Sequence, residues 1–173
     1  MTSPSALTKT PLKPADLYYE DFHVGRVFQS PGCTVTESAI IDFATLYDPQ
    51  PFHMDVEAAG QNPLFQGLTA SGWHSLALTF RLFQKTGALL AANTAGRGLE
   101  KIRWRLPVRP GDTLYVTVTV KEAWPSQSKP DRGLVRMDYA THNQRGETVL
   151  SFSCVHILLK RHPDKPFVKN GKE

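Results

Sequence analysis

The sequence predicts an α+β domain, and three observations carry the prediction. Helical patterns occupy the first half of the chain and four strand-like runs the second. That order suits segregated helices and strands better than alternating βαβ units. Within "TLYVTVTVKEA", Leu114, Val116, Val118 and Val120 alternate with Tyr115, Thr117, Thr119 and Lys121, as a sheet with one buried face requires. Finally, "GLTASGWHSLALTFRLFQKTG" is helical in period and apolar over much of its circumference, which suits a helix buried on most sides. An antiparallel meander wrapped around that helix follows.

The elements can be justified in chain order. Residues 1–16 are dominated by Ser, Thr and Pro, so they are expected to form an arm preceding a single domain over 17–161. "VFQSPGCTVT" gives two short strand-like pieces around Pro31 and Gly32. Thr36 and Glu37 then supply a cap and a first-turn acid for a helix with Ile40, Phe43, Ala44 and Tyr47 on one face, ended by Pro49. A short helical piece, "DVEAAGQ", follows His53 and stops at Gly60. The long helix runs from Ser71 to about Lys85, with Trp73, Leu76, Ala77, Phe80 and Phe83 on one stripe, Leu78 and Leu82 opposite, and Gly87 as the stop. The strand runs are "EKIRWRL", "TLYVTVTVKEA", "GLVRMDYATH" and "TVLSFSCVHILLK". Residues 162–173 form a basic tail.

With 173 residues, one domain is the expected content. Hydrophobic residues make up 40% and charged residues 21%, which excludes wholesale disorder and fibrous architectures. The net charge of +4 suits an anionic ligand, but no nucleic-acid motif accompanies it and the aromatics fit core positions. Two cysteines in unrelated contexts, Cys33 and Cys154, argue against a disulfide framework and against a metal-ligand spacing. No secretory leader and no membrane-spanning run are visible, so a cytoplasmic protein without membrane contact is expected. Phosphate-cradling loops, GxSxG and HExxH are all missing.

One stretch stands out. "LYDPQPFHMD" places Asp48 and His53 five positions apart around two prolines, the minimum equipment for moving a proton. Taken alone, each residue also fits ordinary turn chemistry. "YDPQPFHMDVEAA" resembles the hydratase signature of the MaoC-like, (R)-specific enoyl-CoA hydratase family, GDxNP[LIV]H followed by a small residue six positions after the His. Asp48, Pro51, His53 and Ala59 stand in register with it. "GLTASGWHSLAL" and "RWRLPVRPGDTL" resemble the family's helix-initiating segment and its strand-turn-strand element. Four positions depart: Tyr47 replaces Gly, Gln50 replaces Asn, Phe52 replaces an aliphatic residue, and Ser71 stands where a His is usual. They bear on substrate preference more than on proton chemistry.

The resemblance implies a hot-dog fold, a curved antiparallel sheet around one long helix, and a homodimer or larger assembly. It implies reversible addition of water to a trans-2-enoyl thioester carried by coenzyme A or acyl carrier protein, with no cofactor and no metal. Asp48 would act as base, and His53 as orienter and acid/base partner. Backbone N–H groups around Gly72 would receive the thioester oxygen. Gln50, Phe52, Ser71 and Trp73 are the expected substrate-binding residues. Lys101, Arg103 and Arg105 alternate on one strand face, with Arg109 beyond the turn, and Arg103 and Arg105 are the expected contacts for the coenzyme A phosphates. Two rival functions remain: a hot-dog thioesterase, disfavoured because the long helix carries no carboxylate, and a non-catalytic acyl-carrier-binding module.

Overall fold

The computed structural model describes residues 16–163, so all but the last residue of the expected arm and most of the basic tail lie outside the described residues. After a 3-10 turn at Tyr19–Asp21 come β1 (Val27–Gln29), β2 (Cys33–Thr34), α1 (Glu37–Tyr47), α2 (Pro51–Met54), α3 (Val56–Gln61) and α4 (Gly72–Gln84). Four long strands follow: β3 (Asn93–Trp104), β4 (Thr113–Pro125), β5 (Arg132–His142) and β6 (Thr148–Leu159). They form an open antiparallel sheet in the order β1-β4-β5-β6-β3, with β2 also paired to β4.

Two short strands therefore precede the helices, and only β4, β5 and β6 form a meander. The sequence order suggests a four-strand meander, but β3 crosses to the far edge and pairs with β6. This strand also begins well before Glu100, where its β-branched character starts. "NTAGRG" reads as loop because an exposed edge strand has no buried face to pattern it; pairing of its backbone with β6 makes it a strand. Gly98 and Lys101 adopt positive φ of 135° and 55°, and the register shifts between Glu100 and Arg103. That irregularity breaks the alternation that would put Lys101, Arg103 and Arg105 on one face.

Strand β4 directs Leu114, Val116, Val118 and Val120 inward, all essentially inaccessible. They face α4, whose Phe83 packs edge-on against Phe28 at 5.8 Å and Tyr139 at 5.3 Å. Phe80 meets Phe152 at 5.4 Å. The helix is not buried all round: Trp73, Ala77, Arg81 and Gln84 form an exposed stripe. Trp73 and Ala77 thus leave the inner stripe that periodicity assigns them, and His74, Ser75 and Thr79 take inward positions. Their polar groups are tolerable where the backbone or a strand accepts them: Thr79 shares a 2.6 Å hydrogen bond with Thr141 and also donates to Ser75 O. On α1, capped by Thr36 through Ala39 N–H, Ile40 and Ala44 are buried, whereas Tyr47 is exposed.

A polar chain crosses the sheet at its far end. The Tyr139 phenol donates to His156 Nε2 at 2.7 Å, and His156 Nδ1–H donates to Asn93 Oδ1 at 3.1 Å, linking β5, β6 and β3. Burial pushes His156 down to about 4 from 6.5. The unfolded chain therefore binds this proton below pH 6.5, while the folded chain refuses it until about pH 4. Stability falls as pH drops through that window and then levels off, with a loss of about 3 kcal/mol from this residue. Urea midpoints recorded from pH 7 to 4 are expected to show the decline, and His156→Gln, which cannot titrate, is expected to flatten it.

Candidate active site

The site begins where α1 ends. Asp48 closes that helix, its N–H bonded to Ala44 O at 2.9 Å, and Pro49 prevents continuation. The stretch between Asp48 and His53 is not a plain loop, because Pro51 takes the first position of α2, where a missing N–H costs nothing. That single turn carries His53 back towards Asp48. Asp55 then caps α3 through Glu57 N–H and Ala58 N–H.

His53 is 5% exposed. Its Nδ1 lies 2.6 Å from Thr69 O, and a carbonyl only accepts, so Nδ1 carries the proton. Nε2 faces Asp48 Oδ2, 3.5 Å away, and in the neutral ring it keeps its lone pair. Thr69 is itself fixed: its N–H bonds to Phe52 O, its hydroxyl bonds to Val108 O, and Ala70 N–H bonds to Val108 O. Phe52 closes one side of the imidazole, with ring centroids 4.5 Å apart, and leans on Phe65 at 4.9 Å.

Asp48 is held from both sides. Ser71 Oγ–H donates to Oδ2 at 2.6 Å, and Gln50 Nε2 donates to Oδ1 at 2.7 Å. The Ser71 hydrogen bond is the largest influence keeping the Asp48 carboxyl below the usual carboxylate range; burial opposes it, and the Gln50 amide and the nearby His53 add to it. The extra methylene of Gln50 thus does not prevent its amide from reaching Asp48. Ser71 also accepts from Trp73 N–H at 3.2 Å, so one buried hydroxyl caps α4 and steadies the acid. Ser71→Ala is expected to raise the Asp48 pKa and move the acid limb of any Asp48-dependent kcat/KM profile to higher pH. Thr at this position, retaining the hydroxyl, is expected to restore the limb, and a pH–rate series on the three proteins checks it.

Gly72 opens α4 beside this pair. A Cβ there would lie 2.8 Å from the Trp104 indole, whose Nε1–H donates to Gly72 O at 2.9 Å. Glycine is required at this point by the indole, a reason different from the expected close approach of substrate. Trp73 is 57% exposed and meets Trp104 edge-on at 6.0 Å, so it stands at the rim. Asp48, Gln50, Phe52, His53, Ser71, Gly72 and Trp73 are thereby gathered around one helix start.

The two arginines are not joined to that cluster. Arg103 Nη1 donates to Ile102 O and Arg105 Nε to Ser151 Oγ, and both are exposed. Arg103 precedes Trp104 in the strand and so projects from the opposite face. Arg109 donates to Phe65 O and Leu68 O, tying down the loop that leads to Thr69. Sequence reasoning missed Thr69, which acts through its carbonyl, and Trp104, which it read only as a strand residue. The Trp among alternating basic residues in "KIRWRL" was the available signal for the second. Among the described residues, no group of three His, Cys, Asp or Glu side chains could hold a metal, and no helix is long and apolar enough to cross a membrane.

An antiparallel sheet packed on one long helix, with an acid and an imidazole facing each other at that helix's start, defines a hot-dog domain with a candidate proton-transfer site. The architecture matches that of a conserved hypothetical protein from Mycobacterium tuberculosis with a double hotdogfold, at TM-score 0.72 and 20% identity over 91% of this chain and 48% of that one. The MaoC like domain model matches residues 21–141, and the chain belongs to that family. A MaoC-like dehydratase from Rhodospirillum rubrum is 44% identical, with TM-score 0.78 over 84% of this chain and 99% of that one. An uncharacterized protein of Bacillus subtilis, YdeM, is 30% identical across 82% of this chain and 98% of its own length.

Proposed function

We propose that the chain is a hydro-lyase that adds water reversibly to a trans-2-enoyl thioester, giving the (R)-3-hydroxyacyl thioester. One observation carries the reading: two proton acceptors, the Asp48 carboxylate and the His53 Nε2 lone pair, face each other at 3.5 Å. A water lodged beside the pair, within hydrogen-bond reach of both, donates one hydrogen to each and keeps an oxygen lone pair for carbon 3 of the substrate. As the C–O bond forms, Asp48 takes a proton from that water. The Asp48/His53 pair returns one proton to carbon 2, so hydroxide and proton sum to one water. Negative charge that develops on the thioester oxygen is received at the start of α4 by the Gly72 N–H, where helix geometry leaves donors and a positive dipole end. Coenzyme A or acyl carrier protein enters only as part of the substrate, and no further cofactor has a step to perform.

The (R) configuration and the enoyl substrate come from the family resemblance, and the dehydratase relative from Rhodospirillum rubrum supports the reaction class. The absence of any carboxylate from α4 speaks against a thioesterase. The exposed twelve-residue edge strand β3 is suited to pairing with a second copy, so a homodimer is part of this reading.

The test follows enoyl absorbance with a panel of trans-2-enoyl-CoA esters, alongside a free-thiol assay. Hydration of short or medium chains with an (R)-3-hydroxyacyl product is expected. Complete inertness across the panel would sink the proposal, and thiol release without enoyl loss would replace it with a thioesterase.

A further inference from the structure

The segment between α3 and α4 supplies the carbonyl that fixes His53, and two sets of bonds hold that segment. The first is local: Asn62 Oδ1 accepts from Leu64 N–H and Phe65 N–H, Gln66 N–H donates to Asn62 O, and Gly67 N–H donates to Ala59 O. Gln66 and Gly67 take positive φ of 53° and 148°, a conformation that a glutamine adopts only at some cost.

The part nearest Thr69 is held by a distant stretch of chain, Val108 and Arg109. Val108 O accepts from the Thr69 hydroxyl and from Ala70 N–H. Arg109 does the reverse: one guanidinium donates through Nη2 to Phe65 O and through Nη1 to Leu68 O, the latter at 3.4 Å. These bonds bracket Thr69, whose own carbonyl takes the His53 Nδ1–H. Arg109 is itself anchored, because its backbone N–H donates to Asp112 Oδ2 at 2.8 Å, and Asp112 Oδ1 accepts from Gln144 in the turn between β5 and β6. A Cβ at Gly67 would lie 3.0 Å from Arg109 Nη1, so the missing side chain leaves room for the guanidinium.

The consequence falls on the neutral imidazole, which carries one proton and can place it on either nitrogen. With Thr69 O in position, Nδ1 is the donor and Nε2 accepts. Once that carbonyl drifts, the other tautomer gains: Nε2–H turns to Asp48 Oδ2, 3.5 Å away, and the two groups that are to receive a water satisfy each other instead.

We propose that Arg109 is a positioning residue that sets the His53 tautomer: by clasping Phe65 O and Leu68 O it holds Thr69 O on Nδ1 and keeps Nε2 available as an acceptor. It acts through the loop alone. Its value to catalysis rests on the hydration reading, whereas its hold on the tautomer does not.

Nitrogen-15 NMR of the histidine-labelled full chain reads the tautomer without any turnover, with His53 identified by the signals missing from His53→Ala. Above the imidazole titration range, the wild type is expected to show a protonated Nδ1 and a bare Nε2. In Arg109→Gln the Nε2-protonated form is expected to become a major population. Hydration kcat is expected to fall about 10²-fold with KM little changed, because a displaced acceptor disturbs the reacting geometry more than binding. Arg109→Lys, a single ammonium facing two carbonyls, is expected to lie between, and it decides the matter if the glutamine variant does not fold. Arg136→Gln removes an arginine paired with Glu100 and Glu122, and is expected to leave the His53 signals unchanged. A wild-type tautomer in Arg109→Gln, or in Arg109→Lys where only that variant folds, would overturn the proposal. So would an equal shift in Arg136→Gln, or full kcat in a variant whose tautomer has shifted. An Arg109-dependent tautomer in a protein that hydrates no enoyl thioester would count against the hydro-lyase reading and leave the hold on His53 standing.

Discussion

Asp48→Asn is expected to lower kcat for enoyl hydration about 10³-fold while KM changes little, because the amide keeps the shape of the carboxylate but cannot take the proton from water. The isosteric replacement matters here. The asparagine side chain can still accept from Ser71 or from Gln50 through its carbonyl oxygen, though no longer from both through two equivalent oxygens. Folding should therefore survive, and matching thermal midpoints for mutant and wild type are the control. His53→Ala is expected to cost a similar factor and somewhat more stability, since it removes a ring packed against Phe52 and leaves Thr69 O without its 2.6 Å donor. Steady-state rates on any substrate the wild type turns over decide the matter. A variant of either residue that matches the wild-type rate would remove the dyad from the mechanism.

How much of this is legible in the sequence depends on the physical scale of each feature. Patterns set by burial are readable: the alternation in β4, the Thr36 cap and the extent of α4 all stand in the structure. So is the spacing of Asp48 and His53, because two prolines restrict what the intervening chain can do. Features set by long-range pairing are not. The start of β3 at Asn93 depends on β6, whose Leu158 it faces, and nothing local in "NTAGRG" asks for a strand. The exposure of Trp73 likewise turns on which side of α4 the sheet covers. The role of Ser71 shows a third kind of limit. Its type and its departure from the usual His are plain in the sequence, yet only the fold shows that its hydroxyl reaches Asp48 across 23 residues of chain. A Ser in this place donates one hydrogen bond to the acid and caps the helix with the same oxygen, two tasks that are short in reach and suit a short side chain.

Gly72→Ala tests whether the helix start is positioned as tightly as the mechanism needs. The added methyl would sit 2.8 Å from the ring atoms of Trp104, well inside contact distance, and the indole cannot retreat without giving up its 2.9 Å hydrogen bond to Gly72 O. Overpacking of this kind costs about 1–3 kcal/mol of stability. The catalytic cost is expected to be larger in effect: a shifted first turn moves the Gly72 N–H away from the thioester oxygen, and loss of one such donor lowers kcat by about 10²-fold or more. The two consequences separate in a double variant. Trp104→Ala in the Gly72→Ala background removes the clash, so stability should recover relative to Gly72→Ala alone. If the indole also orients the helix start, kcat should not recover with it, because the group that fixed the Gly72 peptide has gone. Recovery of both would mean that Trp104 merely fills space. Recovery of stability alone would make it a positioning residue that acts through Gly72, and would explain why a large aromatic side chain stands at the end of an otherwise exposed edge strand.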